Sequence, residues 1–217
     1  MNDISLLEDA LRAYLNRRCR RAYAHDLRNG LQGIFGGVDA LTRAARSTTS
    51  GKPLNVPLEQ LTTFVQQAIT NHERGLQRVL ESIAPEPQAA APVSCRELLI
   101  EASRFLSNDT ARNNIRVRHD FHDDLKTTTV IAQLRLIVLG LLTDSIDALA
   151  SGGEIRLGGR TSEGRVQLEI VDTRTQPRSV SFVSDAIERL VAELSGRIES
   201  KQNDGGGLSV RVELTAI

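Results

Sequence analysis

The residues best equipped for chemistry stand within little more than one helical turn of each other: His25, Asp26 and Asn29, in the stretch AHDLRNGLQGIFGGVDAL at 24–41. An imidazole is a nucleophile near neutral pH and can carry a transferred anion. A carboxylate beside it and an amide one turn on complete the cluster. Arg21, one turn before, and Arg28 add guanidinium groups suited to holding an anion. At about 100° per residue, His25 lies roughly 160° from Leu27 and within about 40° of Asn29, so both are expected on a solvent-facing stripe. The plainer reading is an ordinary solvated helix histidine.

The same stretch holds Gly30, Gly33, Gly36 and Gly37, each costing a helix interior about 1 kcal/mol relative to alanine. Gly30, Gly33 and Gly37, by removing side chains just below the histidine, are expected to let a partner protein's backbone approach closely. The alternative is that they are drift. The RRCRR run at 17–21 offers charge to an acidic partner or is a solvated basic face. His72 falls on an apolar stripe and reads as a core histidine; His119 and His122 have no evident ligand partners.

Composition narrows the classes. Lys+Arg and Asp+Glu are both 27, so the formal charge is zero and no overall field draws the chain to nucleic acid or an anionic membrane. Aromatics are 3% and Trp is absent, which leaves little for base stacking. Cys19 and Cys95 are too few and too far apart for a disulfide framework or a metal site. The charged first twenty residues do not read as a secretory signal, and the longest apolar run, LIVLGLL at 136–142, is far short of a membrane span. A cytoplasmic location is expected.

The elements that must position the histidine follow from periodicity. Leu27, Leu31, Ile34, Val38 and Leu41 form a helical seam, on a helix expected from near Ser5 to near Ser47. Pro57 suits the first turn of a second helix, whose seam runs Leu58, Leu61, Val65, Ala68, His72, Leu76, Val79 and Ile83. Together they make an antiparallel hairpin, and because a lone hairpin leaves its seams half covered, a second copy is expected to complete a four-helix bundle. The proline- and alanine-rich APEPQAAAP at 84–92 reads as a linker. Beyond it, CRELLIEASRFLSNDTARN, VIAQLRLIVLGLLTDSIDALAS and SFVSDAIERLVAELSG read as helices. IRVRHDF, the two halves of GEIRLGGRTSEGRVQLEIVD, RIES and GGGLSVRVELTAI read as strands. The fold class is therefore α+β, a mixed sheet with helices on one face. The expected domains are 1–84 for the hairpin, 85–92 for the linker and 93–217 for the sandwich.

HDLRNGLQGI resembles the phosphoacceptor box of sensor histidine kinases, and the second domain resembles their GHKL-type ATPase domain. The match runs in order from VSCRELLIEASRFLSNDTARNNIRVRHDF and QLRLIVLGLLTDSIDALASGGEIRL to VQLEIVD, AIERLVAELSGRIES and GGGLSVRVEL. The resemblance places Asp144 where the family has its metal-holding Asn, Gly140 at an earlier Asn of that motif, and Asp172 where an aspartate bonds adenine. It fails after Asp172. TRTQP replaces the first glycine box, and only RTQPRSVSFVSD stands where the glycine-rich lid and second box belong. Gly205, Gly206 and Gly207 lie too late and read as a turn. Asp144 and Asp172 are thus expected to be a vestigial nucleotide site, without ATP.

What the resemblance then implies is a histidine phosphotransferase moving phosphoryl groups between receiver domains of response regulators, with His25, Asp26 and Asn29 as the catalytic set. Arg21, Arg28 and the glycines would meet the partner. Mg²⁺ would come from the receiver and the chain would hold no metal of its own. Homodimerisation is expected, with response regulators and a hybrid histidine kinase as partners. Two other readings stand beside it: a non-catalytic pseudokinase adaptor that binds a kinase or regulator, and an active autokinase with an atypical nucleotide site.

Overall fold

The computed structural model describes residues 3–49, 56–83, 89–121, 125–175, 182–203 and 206–216; the side chains of 3–5, 19–23, 25, 26, 48, 77–83 and 182 fall outside that description. Contacts divide the chain into two compact units, Cys19–Glu86 and a larger one made of Met1–Arg18 with Pro87–Ile217.

The smaller unit is built on two helices. Helix α1 runs Asp3–Thr49 and α2 runs Leu58–Ile83. Their pairing is antiparallel, since Gly30 stands against His72, Gly33 against Ala68 and Gly37 against Val65. The glycines explain the packing. A Cβ added at Gly37 would lie 2.4 Å from Val65 Cγ2, and one at Gly30 would lie 2.6 Å from His72 Nδ1. Gly30, Gly33 and Gly37 therefore admit α2 of the same hairpin, which corrects the expectation that they open the helix to another protein. Only Gly36 of the four faces open space. The inward face of α1 is this glycine row with Ala44, so Leu31 and Val38, expected in the seam, stay exposed beside Phe35.

In the larger unit, α1 contributes its first four turns. Leu11 and Leu15 are buried, and Arg18 bonds Asp147 and lies 3.9 Å from Asp109. Burial of two leucines is worth about 3–6 kcal/mol against at most about 1 for each part-exposed ion pair, so the leucines hold the segment. Contact thus carries residues 3–18 away from the hairpin to which the expected boundary at 84 assigned them.

The rest of that unit alternates helix and strand. Strand β1 (Ala91–Ser94) leads into α3 (Cys95–Phe105), where Ser94 caps the helix through Glu97 N–H. Helix α4 (Ser107–Arg112) follows, so the single helix expected over 95–113 is broken at buried Leu106. Strands β2 (Ile115–Phe121) and β3 (Lys126–Thr129) precede the long α5 (Ile131–Ala148). Then come β4 (Gly153–Ser162), β5 (Arg165–Asp172), α6 (Phe182–Glu193), β6 (Arg197–Gln202) and β7 (Leu208–Thr215). Strands β1 and β3 were not anticipated; they pair as a small antiparallel sheet, and β1 takes Ala91 and Pro92 out of the expected linker.

The main sheet has the order β2-β4-β5-β7-β6, parallel only between β2 and β4. Strict alternation in RVQLEIVD and LSVRVELT buries Val166, Leu168, Ile170, Val210, Val212 and Leu214 on one face. That face meets α5, whose Leu134, Ile137, Leu142 and Ile146 are buried, with α3 and α6 packed on α5. The α+β class with helices on one sheet face is observed. Among the described residues no helix is long and apolar enough to cross a membrane.

The glycine row yields a paired prediction for urea unfolding. Gly37→Ala should destabilise the protein by about 1–3 kcal/mol through overpacking against Val65. Gly36→Ala, with open space beyond it, should stabilise by up to about 1 kcal/mol. Equal effects would show that the two helices are not in close contact.

Candidate functional site

The stretch that resembles a phosphoacceptor box is helical throughout, since 24–41 lies inside α1. The side chains of Arg21, His25 and Asp26 lie outside the described residues. Asn29 is exposed, as its angular position predicts, and so is Arg28. Directly beneath them the hairpin is tight. His72 is inward-facing as expected for a core histidine, yet its Nδ1 is buried without a hydrogen-bond partner.

The second set of predicted residues does come together. Asp172 ends β5 on the core face and Asp144 lies on α5; both meet Arg174, two residues beyond Asp172. The guanidinium donates from Nε to both oxygens of Asp172 at 2.9 Å, and from Nη2 to Asp172 Oδ2 at 2.6 Å and Asp144 Oδ2 at 3.0 Å. Nη2 also lies 3.4 Å from Ser145 Oγ. The backbone joins in. Arg174 N–H donates to Asp172 Oδ1, and Arg174 C=O accepts from Gly207 N–H at 2.9 Å.

Gly207 is needed there on two counts. Its φ is +99°, and a Cβ would lie 2.5 Å from Asp172 O. With Gly206 (φ +85°) it forms the β6–β7 connection, so the expected turn role for these glycines is met.

Arg174 is 5% exposed and the Asp172 side chain 1%. Burial alone would lower the guanidinium's pKa, but its hydrogen bonds to Asp172 and the charges of Asp172 and Asp144 outweigh that and raise it. The cation is permanent. Helix α6 covers the neighbouring position: Gly140 is buried, and a Cβ there would sit 2.9 Å from Ile187 Cδ1. Asp172, Asp144 and Gly140, the positions where the resemblance puts nucleotide contacts, are thus met by the chain's own side chains. An adenine amino group offers neutral hydrogen bonds, roughly half as strong as the charge-assisted ones it would displace from Asp172. These residues are engaged within the chain.

Arg174 is the residue that reading the sequence missed. TRTQP registered only as missing glycines, whereas an arginine two residues after a core-facing strand-end aspartate was a signal for a local ion pair. Elsewhere, His119 is held structurally, its Nε2 3.1 Å from Ser103 Oγ and its ring stacked on Phe121. His122 lies outside the described residues. The Cys95 thiol is pushed up to about 12 by burial, despite an opposing backbone hydrogen bond. Among the described residues no group of His, Cys, Asp and Glu could hold a metal ion.

No family model and no curated protein matches the sequence. Solved structures do. The catalytic domain of histidine kinase ThkA aligns with a TM-score of 0.54 at 13% identity, over 59% of this chain and 97% of that one. The chain has a histidine-kinase-like fold. A histidine kinase from Burkholderia phymatum aligns with a TM-score of 0.53 at 16% identity, over 91% of this chain and 97% of that one. Acinetobacter baumannii histidine kinase AdeS gives 0.52 at 10% identity, over 88% and 97%. These two matches extend past the C-terminal body into the helical hairpin. Within the histidine-kinase-like fold, the ion-pair cluster and Gly140 occupy the α5–β5 end of the sandwich.

Removing one member of a buried ion cluster leaves the others uncompensated, at a cost of about 3–5 kcal/mol. Arg174→Met should lose that much in urea unfolding, whereas Asp144→Asn, at a part-exposed position, should lose less than half as much. A loss below about 1 kcal/mol for Arg174→Met would mean the guanidinium is hydrated in solution.

Proposed function

We propose that this chain is a histidine phosphotransferase of a two-component phosphorelay, working without ATP. His25 attacks the phosphorus of a receiver's aspartyl phosphate. The P–N bond forms as the P–O bond to the receiver carboxylate breaks, and the imidazole proton passes to Asp26. The reverse step delivers the group to a second receiver. Asn29 positions the phosphoryl group, Arg21 and Arg28 face its charge, and the receiver supplies Mg²⁺. Loose phosphoryl transition states demand mainly alignment and charge stabilisation, which a surface helix meeting a receiver provides.

The observation that carries this reading is the Arg174 cluster. A body of histidine-kinase-like fold whose adenine-side acid is saturated by its own arginine is suited to hold a histidine hairpin, and not to phosphorylate it. A homodimer fits the exposed Leu31, Phe35 and Val38 on α1 with Phe64 and Leu76 on α2, an apolar strip that a second hairpin would cover. A cytoplasmic site of action, with response regulators and a hybrid kinase as partners, belongs to the same proposal.

The adaptor reading shares the filled nucleotide site and differs only at His25; the autokinase reading requires Arg174 to leave. One experiment separates all three. A receiver radiolabelled on its aspartate and freed of nucleotide is mixed with wild type and with His25→Ala. Acid-labile, base-stable label should appear on wild type and fall to background in the variant. Label on neither protein from several receivers would favour the adaptor. Mg-ATP at 100 times a dissociation constant would stabilise the fold by about 2.7 kcal/mol; no thermal shift at millimolar Mg-ATP is expected, and a shift would restore the autokinase.

A further inference from the structure

A buried polar atom without a partner calls for a reason, because leaving one unmatched costs about 1–3 kcal/mol. In the hairpin that atom is His72 Nδ1, on α2. The ring stands against the backbone of α1 at Gly30, where a Cβ would lie 2.6 Å from Nδ1, 3.1 Å from His72 Cβ and 3.2 Å from Cγ. The glycine admits the imidazole, and it also turns Nδ1 toward helix backbone whose groups are already paired within α1. Charge lies to the sides. One turn away on α2 stand Ala68, Ile69, Gly75 and Leu76, none of them ionisable, while Glu73 and Arg74 are exposed. One turn from Gly30 on α1 stand Asp26, Leu27, Gly33 and Ile34, and exposed Arg28 lies about 160° round the helix from Gly30. Asp26 is the acid of that set.

We propose that closure of the hairpin is proton-linked at His72: α1 and α2 pair closely at Gly30 while the imidazole is neutral, and part when a proton enters at Nδ1. A neutral ring with its hydrogen on Nε2 leaves only a lone pair at Nδ1. Protonation makes Nδ1 a charged donor facing packed backbone with nothing to accept from it, whereas in an opened hairpin water accepts. The open form therefore binds the extra proton and the closed form excludes it. By linkage, closure is complete above the range in which an exposed imidazole titrates, about pH 6.5, and is lost progressively as the pH falls below it. Gly30 is five residues from His25, about 7.5 Å of helix rise, so the contact that loosens adjoins the segment that carries His25.

The device does not require phosphotransfer, so its test is separate. Hydrogen–deuterium exchange of the full chain is followed at pH 7.5 and 5.0, with rates corrected for the intrinsic pH dependence of exchange, reading residues 62–76 of α2 against 134–146 of α5. One proton taken up near pH 6.5 allows up to about thirtyfold more opening over that interval. In wild type the α2 amides should open at least fivefold more at pH 5.0, while those of α5 change less than twofold. His72→Gln, neutral at both pH values, should abolish the difference, and His25→Ala should keep it. Should His72→Gln fail to fold, His72→Met makes the same comparison. Opening of α2 that is independent of pH, or equally dependent in wild type and the His72 variant, overturns the inference. So does tighter closure at pH 5.0, the result that a protonated His72 paired with Asp26 would give.

Discussion

One guanidinium organises the C-terminal body. Arg174 ties the end of β5, the C-terminal part of α5 and the β6–β7 connection to a single point, through two carboxylates, a hydroxyl and a backbone N–H. In a low-dielectric interior such a cluster holds only if every member is matched, because an unmatched buried charge costs several kcal/mol. The three segments are therefore committed to one arrangement. In a nucleotide-binding body of similar fold, the strand-end acid must stay available to a ligand. Here that acid is bonded within the chain.

The hairpin follows a different constraint. Helices normally stand 8–10 Å apart because their side chains intervene, and a glycine row removes that spacer on one side. Val65, Ala68 and His72 of α2 move into the space where α1 has no side chains. The helix-propensity cost of those glycines is offset by contact along the row. A second consequence is that the bulky residues of α1 are displaced to its flank, where Leu31, Phe35 and Val38 are exposed. Close approach within one hairpin and an apolar strip facing outward are two results of the same choice.

Helix α1 belongs to both units. Its first four turns are buried with the sandwich through Leu11 and Leu15, and its remainder builds the hairpin that carries His25. Apolar burial holds the N-terminal segment of α1 in the larger unit, with the Arg18 ion pairs adding direction to it.

Much of this was legible beforehand, and for definite reasons. Period-2 alternation in RVQLEIVD and LSVRVELT and the 3.6-residue pattern of α2 are local signals, so the strands, the long helices and the α+β class could be read directly. The His25-Asp26-x-x-Asn29 spacing and the order of blocks resembling a kinase body were also visible. What escaped were facts that depend on which surfaces meet. Four-residue strands such as β1 and β3 have too few alternations to register, and exist because they pair with each other. The partner of the glycines was undecidable, since a missing side chain says that something approaches and not what. Arg174 was invisible for a related reason: an arginine in a polar segment is ordinarily solvated, and only when β5, α5 and the β6–β7 turn converge does it become a buried cation between two acids. The chain's residues determined the elements and their chemistry; the convergence of segments distant in sequence decided which groups are spent on the fold and which face outward.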